Sequence, residues 1–244
     1  MTDANLHATV AAPSSAFTTA VNILTAPSEA FKALDANPTK LVPLLTVLLG
    51  TLLVMVWYFT IVDFGWYIDD SLFTRFSYMS EEQLTTMQER MESMSQNTFK
   101  MFGIARSSVS ILLISVLQAG YLSMASALNG DKYRFSHWFS LVCWTSLPAL
   151  LGVLGMVVTI LLSPNGQISA LDLNPLTLAN LGMRSSSASV QTLFGSLNLT
   201  MFWGATLIVM AYRQWLHSGW VKALSIVLAP YALIFGIWAY FVLA

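Results

Sequence analysis

Apolar residues fall into five long runs along the chain, separated by shorter polar stretches. The runs extend from about Leu41 to Val62, Ile104 to Leu128, Trp138 to Leu162, Val190 to Tyr212 and Val221 to Ala244. Roughly 20 apolar residues carry an α-helix across the hydrocarbon layer, and each run is that long. Period-two alternation, the pattern of a membrane barrel, is absent. The pattern predicts an all-α, polytopic membrane helical bundle with five transmembrane helices plus amphipathic surface helices. Pro43, Pro148 and Pro230 lie at or inside the runs, where neighbouring helices satisfy freed backbone groups. Pro148 is expected to kink the third span.

The stretches between the runs carry patterns of their own. In "LTAPSEAFKALDANPTK", Pro27 suits the first turn of a short helix and Asn37-Pro38 ends it. Ala30, Phe31 and Leu34 share one face of that helix, and Phe17, Val21 and Leu24 form a second apolar stripe upstream. Both segments are too short to cross a bilayer. They are expected to lie on the inner membrane face or to dock under the bundle, with Phe31 and Leu34 as a candidate partner face. The organisation is thus a cytoplasmic amphipathic lead-in over residues 1–40 and a five-helix transmembrane domain over 41–244.

Ser80 and Gln83 make a capping-box pattern, followed by Leu84, Met87, Met91 and Met94 on one helix face. Thioether sulfur selects Cu(I), but without a nearby His or Cys the stripe reads as flexible packing instead. Before the fourth run, Asp172 or Asn174 is expected to cap a short helix starting at Pro175 and ending at Gly182. That helix would be re-entrant or lie at the surface.

Composition narrows the solvent. The 244 residues are 56% hydrophobic and 9% charged, where a soluble domain is roughly 25% charged. A chain this short cannot bury so much apolar surface in one core, so lipid must cover the rest. The net charge of −1 leaves no basic stripe for nucleic acid. Cys143 is the single cysteine, which excludes an intrachain disulfide or a cysteine-rich metal site. The amino terminus has no basic region leading into an apolar core, so no cleaved signal peptide is expected.

Five spans put the termini on opposite sides. With the amino terminus inside, the inner segments hold Lys32, Lys40, Lys132, Arg134, Arg213 and Lys222. The outer segments hold Arg75, Arg90, Lys100, Arg106 and Arg184. The inner charges sit in short dense loops, where charge bias orients best, giving a cytoplasmic amino terminus and an external carboxyl terminus. Trp57, Tyr58, Trp66, Tyr67, Trp138, Tyr212, Trp215 and Trp220 cluster at run edges, at headgroup level.

Four segments carry a family resemblance: "ILTAPSEAFKAL", "YRFSHWFSLVCWTSLPALLG", "LNPLTLANL" and "YRQWLHSGWVKALSIVLAPY". Together they resemble the Yip family (Ypt/Rab-interacting proteins), in particular its bacterial branch. The resemblance implies five spans, a cytoplasmic amino-terminal segment and placement in a bacterial inner membrane. Eukaryotic members carry an Asp-Leu-Tyr-Gly-Pro signature that this chain lacks; its "DLNP" at Asp172 to Pro175 is not equivalent.

Candidate chemistry is sparse. Gln118, Asn198 and Thr200 form a candidate polar mid-span cluster for binding. Such groups also hydrogen-bond between helices. Asp63, Asp69 and Asp70 could bind a hard cation, although ordinary solvated loop charge explains them. No Gly-rich phosphate loop, HExxH or nucleophile elbow occurs, so neither an enzyme nor a cofactor is expected. Two functions remain. One is a scaffold or adaptor that binds protein partners, a second copy of itself or membrane lipid. The other is a small-solute or ion transporter or channel lined by Gln118, Asn198 and Thr200.

Overall fold

The computed structural model describes residues 15–75, 79–163 and 165–243. All regular elements among them are helices, and the single β-bridge pairs Thr177 with Asn198. Two short helices lead in. Helix α1 (Ala16–Thr25) starts where the Ser15 hydroxyl accepts from Thr18 N–H, and α2 (Pro27–Ala36) starts on Pro27. The long apolar helices follow as α3 (Leu41–Ile61), α6 (Gln96–Ala127) and α11 (Trp220–Leu243). Between α3 and α6 come α4 (Phe64–Arg75) and α5 (Glu81–Ser93). The expected capping box opens α5, with Ser80 and Gln83 each satisfying the other's backbone N–H.

The third expected span bends where Pro148 predicts it. It comprises α7 (Phe135–Thr145) and α8 (Ala149–Leu161), joined by a turn over Ser146–Pro148. Half of its apolar window is buried, against 6% for α11, so it is the central element and α11 a peripheral one.

Among the described residues, four helical segments are long and apolar enough to cross a membrane: Leu41–Ile61, Gln96–Ala127, Phe135–Leu161 and Trp220–Leu243. The fourth expected span, 190–212, is instead divided. Helix α9 (Ala188–Ser196) stops, the chain extends through Leu197 and Asn198, and α10 (Leu199–Trp215) resumes. Apolarity alone did not reveal the break, because its cause is tertiary. Leu178 N–H donates to the Leu197 carbonyl at 2.8 Å, and Leu199 N–H donates to Leu176 at 3.0 Å. These two extended pieces satisfy each other's backbone groups.

The segment 165–187 that supplies the second strand of this pairing is irregular. The helix expected from Pro175 does not form; Asn174 Oδ1 instead accepts from Leu176 N–H in a tight turn. Close contacts fix its course. Gly155 lets the Pro175 ring approach α8, and Gly152 does the same for the Asn174 amide. Gly166, at φ +70°, lies against the Ile61 carbonyl where a Cβ would stand only 2.4 Å away.

Two cores result. One gathers Trp138, Trp144, Leu207, Tyr212 and Trp215 with Ile23, Phe31 and Leu34 of the lead-in helices. The other lies at the opposite end around Tyr58, Phe59, Tyr67, Ile160 and Leu173. The lead-in helices and the bundle thus share a core.

A charged cleft at the lead-in end, and the fate of the polar spans

The lead-in helices meet the bundle through specific bonds. Trp215 Nε1–H donates to the Phe31 carbonyl at 3.0 Å, and Gln214 donates to the Ser28 carbonyl at 2.9 Å. Trp144 Nε1–H donates to the Thr39 carbonyl at 2.8 Å, and the Ser140 hydroxyl donates to the same oxygen. Phe31 is fully buried and Leu34 is 1% exposed, both against α7 and α10. The face read from sequence as a partner surface is thus filled by the chain's own core. A stripe of Ala, Phe and Leu is the same pattern whichever surface covers it.

What faces outward at this end is charge. The α2 end, the α6–α7 turn and the α10–α11 turn enclose a cleft of about 520 Å³, lined by Lys32, Asp35, Asn129, Asp131, Lys132, His217 and Lys222. Lys132 pairs with Asp35 at 3.6 Å, Lys32 with Glu29 at 2.8 Å, and Lys222 Nζ donates to Asn129 Oδ1. The floor is aromatic: Tyr133 stacks on Trp215 with centroids 4.9 Å apart, and Trp138 lies 5.3 Å from Trp215. Arg213 stands over the Trp220 ring at 4.5 Å. Burial, then the Asp35 charge and hydrogen bond, then the Asp131 charge, push the Tyr133 hydroxyl up to about 12. That hydroxyl therefore stays a donor, and it reaches the Trp215 carbonyl at 3.3 Å.

This cleft was only partly visible in the sequence. The loops "NGDKYRFSHWF" and "YRQWLHSGWVK" stood out as dense basic turns, but nothing in either one shows that they close over the lead-in helix.

The three mid-span polar residues are each engaged in hydrogen bonds within the protein. Gln118 Nε2 donates to the Tyr231 hydroxyl at 2.6 Å and ties α6 to α11. Asn198 caps α10, accepting from Met201 N–H at 2.9 Å and from the Thr200 hydroxyl at 2.7 Å. Each is used in holding helices. Tyr231 was missed because a tyrosine inside an apolar run carries no pairing signal. Asp63 accepts from Trp66 N–H at 3.1 Å and so opens α4. Among the described residues, no group of three or more His, Cys, Asp or Glu is gathered as metal ligands would be.

Apolar helices of membrane length, exposed leucines along them and a bonded-in lead-in define a helical integral membrane protein. Its family follows from comparison: the Yip1 domain matches residues 21–241, so the chain belongs to the Yip1 domain family. That match begins inside α1 and ends inside α11. No curated protein and no solved structure matches the chain.

Proposed function

We propose that this protein is a scaffold or adaptor of the Yip type in a bacterial inner membrane, and not an enzyme. It presents the charged cleft to the cytoplasm as a docking face for a protein partner or a second copy of itself. In this reading α9 and α10 together make one broken crossing, giving five spans with the amino terminus inside and the carboxyl terminus outside. The observation that carries it is the bonded attachment of α2 through Trp215 and Phe31, which turns a lead-in segment into a fixed, charged surface. Trp and Arg are enriched at protein interfaces, and the exposed Trp220 ring under Arg213 stands at this end. Lys32, Lys132 and Lys222 also favour the anionic lipid of the inner leaflet.

Native mass spectrometry of the full chain from a mild detergent tests this. A second polypeptide or a homo-oligomer at fixed stoichiometry, lost in a Lys132→Glu, Lys222→Glu double variant, is expected. A bare monomer in both preparations contradicts it. The transporter alternative finds less support, since Gln118, Asn198 and Thr200 are each engaged locally.

A further inference from the structure

The end opposite the charged cleft holds a second chamber, of about 360 Å³, between α3, α6, α8 and the segment 165–187. Its walls are apolar and aromatic, including Met55, Tyr67, Phe99 and Met156, and Arg106 and Asn174 bring polar groups to it. Arg106 forms no ion pair among the described residues. The Asn174 side chain uses its oxygen for Leu176 N–H, and its amide nitrogen has no protein acceptor among them. Among the described residues, no carboxylate lines the chamber. A guanidinium, an amide donor and apolar walls with no balancing acid match an anion joined to a hydrocarbon chain.

Depth narrows the ligand class. Arg106 precedes Ala127, the end of α6, by 21 residues (127 − 106). At about 1.5 Å per residue this is about 31 Å along the helix, close to the roughly 30 Å of the hydrocarbon layer. The cation therefore stands at headgroup level of the leaflet away from the lead-in helices. Met55 and Met156 lie deeper: Met55 is 14 residues (55 − 41) into α3, about 21 Å from its start. The flexible thioethers suit a mobile chain. Phe59 closes the top by packing directly on Gly103 of α6, where a Cβ would meet its ring at 2.4 Å.

We propose that this chamber binds one anionic phospholipid, its phosphate on Arg106 and the Asn174 amide and an acyl chain along Met55 and Met156. The site is independent of the docking face, and neither reading rests on the other.

The test is native mass spectrometry of the full chain titrated with dioleoyl phosphatidylglycerol, with dioleoyl phosphatidylcholine and with sn-glycerol 3-phosphate. One retained phosphatidylglycerol per chain is expected, preferred over phosphatidylcholine. Arg106→Gln should lower that preference by about tenfold or more, the worth of a charge-assisted hydrogen bond. Lys100→Gln, a cation change nearer the start of the same helix, should leave it unchanged. Met156→Trp narrows the apolar part and should reduce retention with the charge intact, which keeps the test open if the arginine variant folds poorly. Unaltered preference in Arg106→Gln overturns the proposal. Retention of glycerol phosphate as firm as that of the lipid overturns it in favour of a soluble anion.

Discussion

The indole N–H of Trp215, at the end of α10, donates to the main-chain carbonyl of Phe31 in α2 at 3.0 Å, and both residues are buried. The bond joins positions 184 residues apart in sequence. It makes the lead-in part of the bundle's core, so removing residues 1–38 would strip that core as well as any docking surface. Phe31→Ala is expected to destabilise the protein by about 3–5 kcal/mol, the range for truncating a buried Phe. Trp215→Phe, which keeps most of the packing, should remove about 1 kcal/mol. Unfolding in detergent followed by near-ultraviolet circular dichroism measures both. Equal losses, or none, would show that α2 is not packed as described.

A second expectation concerns the irregular segment against α3 and α8. Gly166 combines φ +70° with contact to the Ile61 carbonyl, so Gly166→Ala meets both a disfavoured conformation and a backbone clash. The conformation alone is worth roughly 1–2 kcal/mol. Gly155→Val would push into the Pro175 ring, 2.7 Å from the position of a Cβ. Gly120→Ala meets open space in the middle of α6 and should be neutral or mildly stabilising. Hydrogen exchange across 165–187 should rise in the first two variants and stay unchanged in the third.

Much of this architecture was legible as pattern. The first, second, third and fifth apolar runs correspond to α3, α6, α7–α8 and α11, because a continuous apolar run in lipid has one stable backbone solution. The Ser80–Gln83 cap was legible for the same local reason. The break at Asn198 was not. Its backbone partners, Leu176 and Leu178, lie some twenty residues upstream, and no hydropathy pattern encodes a two-residue bridge. The partners of the polar mid-span residues were equally hidden. Gln118 and Asn198 are polar where expected, but their partners, Tyr231 and Thr200, set what they do.

Those two caps and ties make a third prediction. Asn198→Ala removes the acceptor for Met201 N–H and Thr200 and should lower stability by about 1 kcal/mol. A double-mutant cycle of Gln118→Leu with Tyr231→Phe should show a coupling of about 0.6 kcal/mol, as for other hydrogen bonds between membrane helices. Additive losses in that cycle would mean the 2.6 Å contact contributes nothing.

Alkaline pH supplies a fourth. Tyr133 is pushed up from 10.0 to about 12 by burial first, then by Asp35 and Asp131. The folded chain therefore holds this proton where the unfolded chain releases it. Stability from this group is constant below pH 10 and falls as pH rises from 10 toward 12. Asp35→Asn should bring the Tyr133 titration back toward 10, and Tyr133→Phe should flatten the alkaline loss. Tyrosinate absorbance against pH reads the first, and unfolding midpoints against pH read the second.

In the function proposed above, the charged end of the bundle recruits a macromolecular partner. A photo-cross-linking residue placed at Lys132, whose side chain is 76% exposed, tests it in intact membranes. The matched control is Leu154 on α8, apolar and 60% exposed. A discrete adduct of constant mass from position 132 and none from 154 is the predicted result. No adduct from 132, or the same adducts from both positions, would show that this end docks no partner.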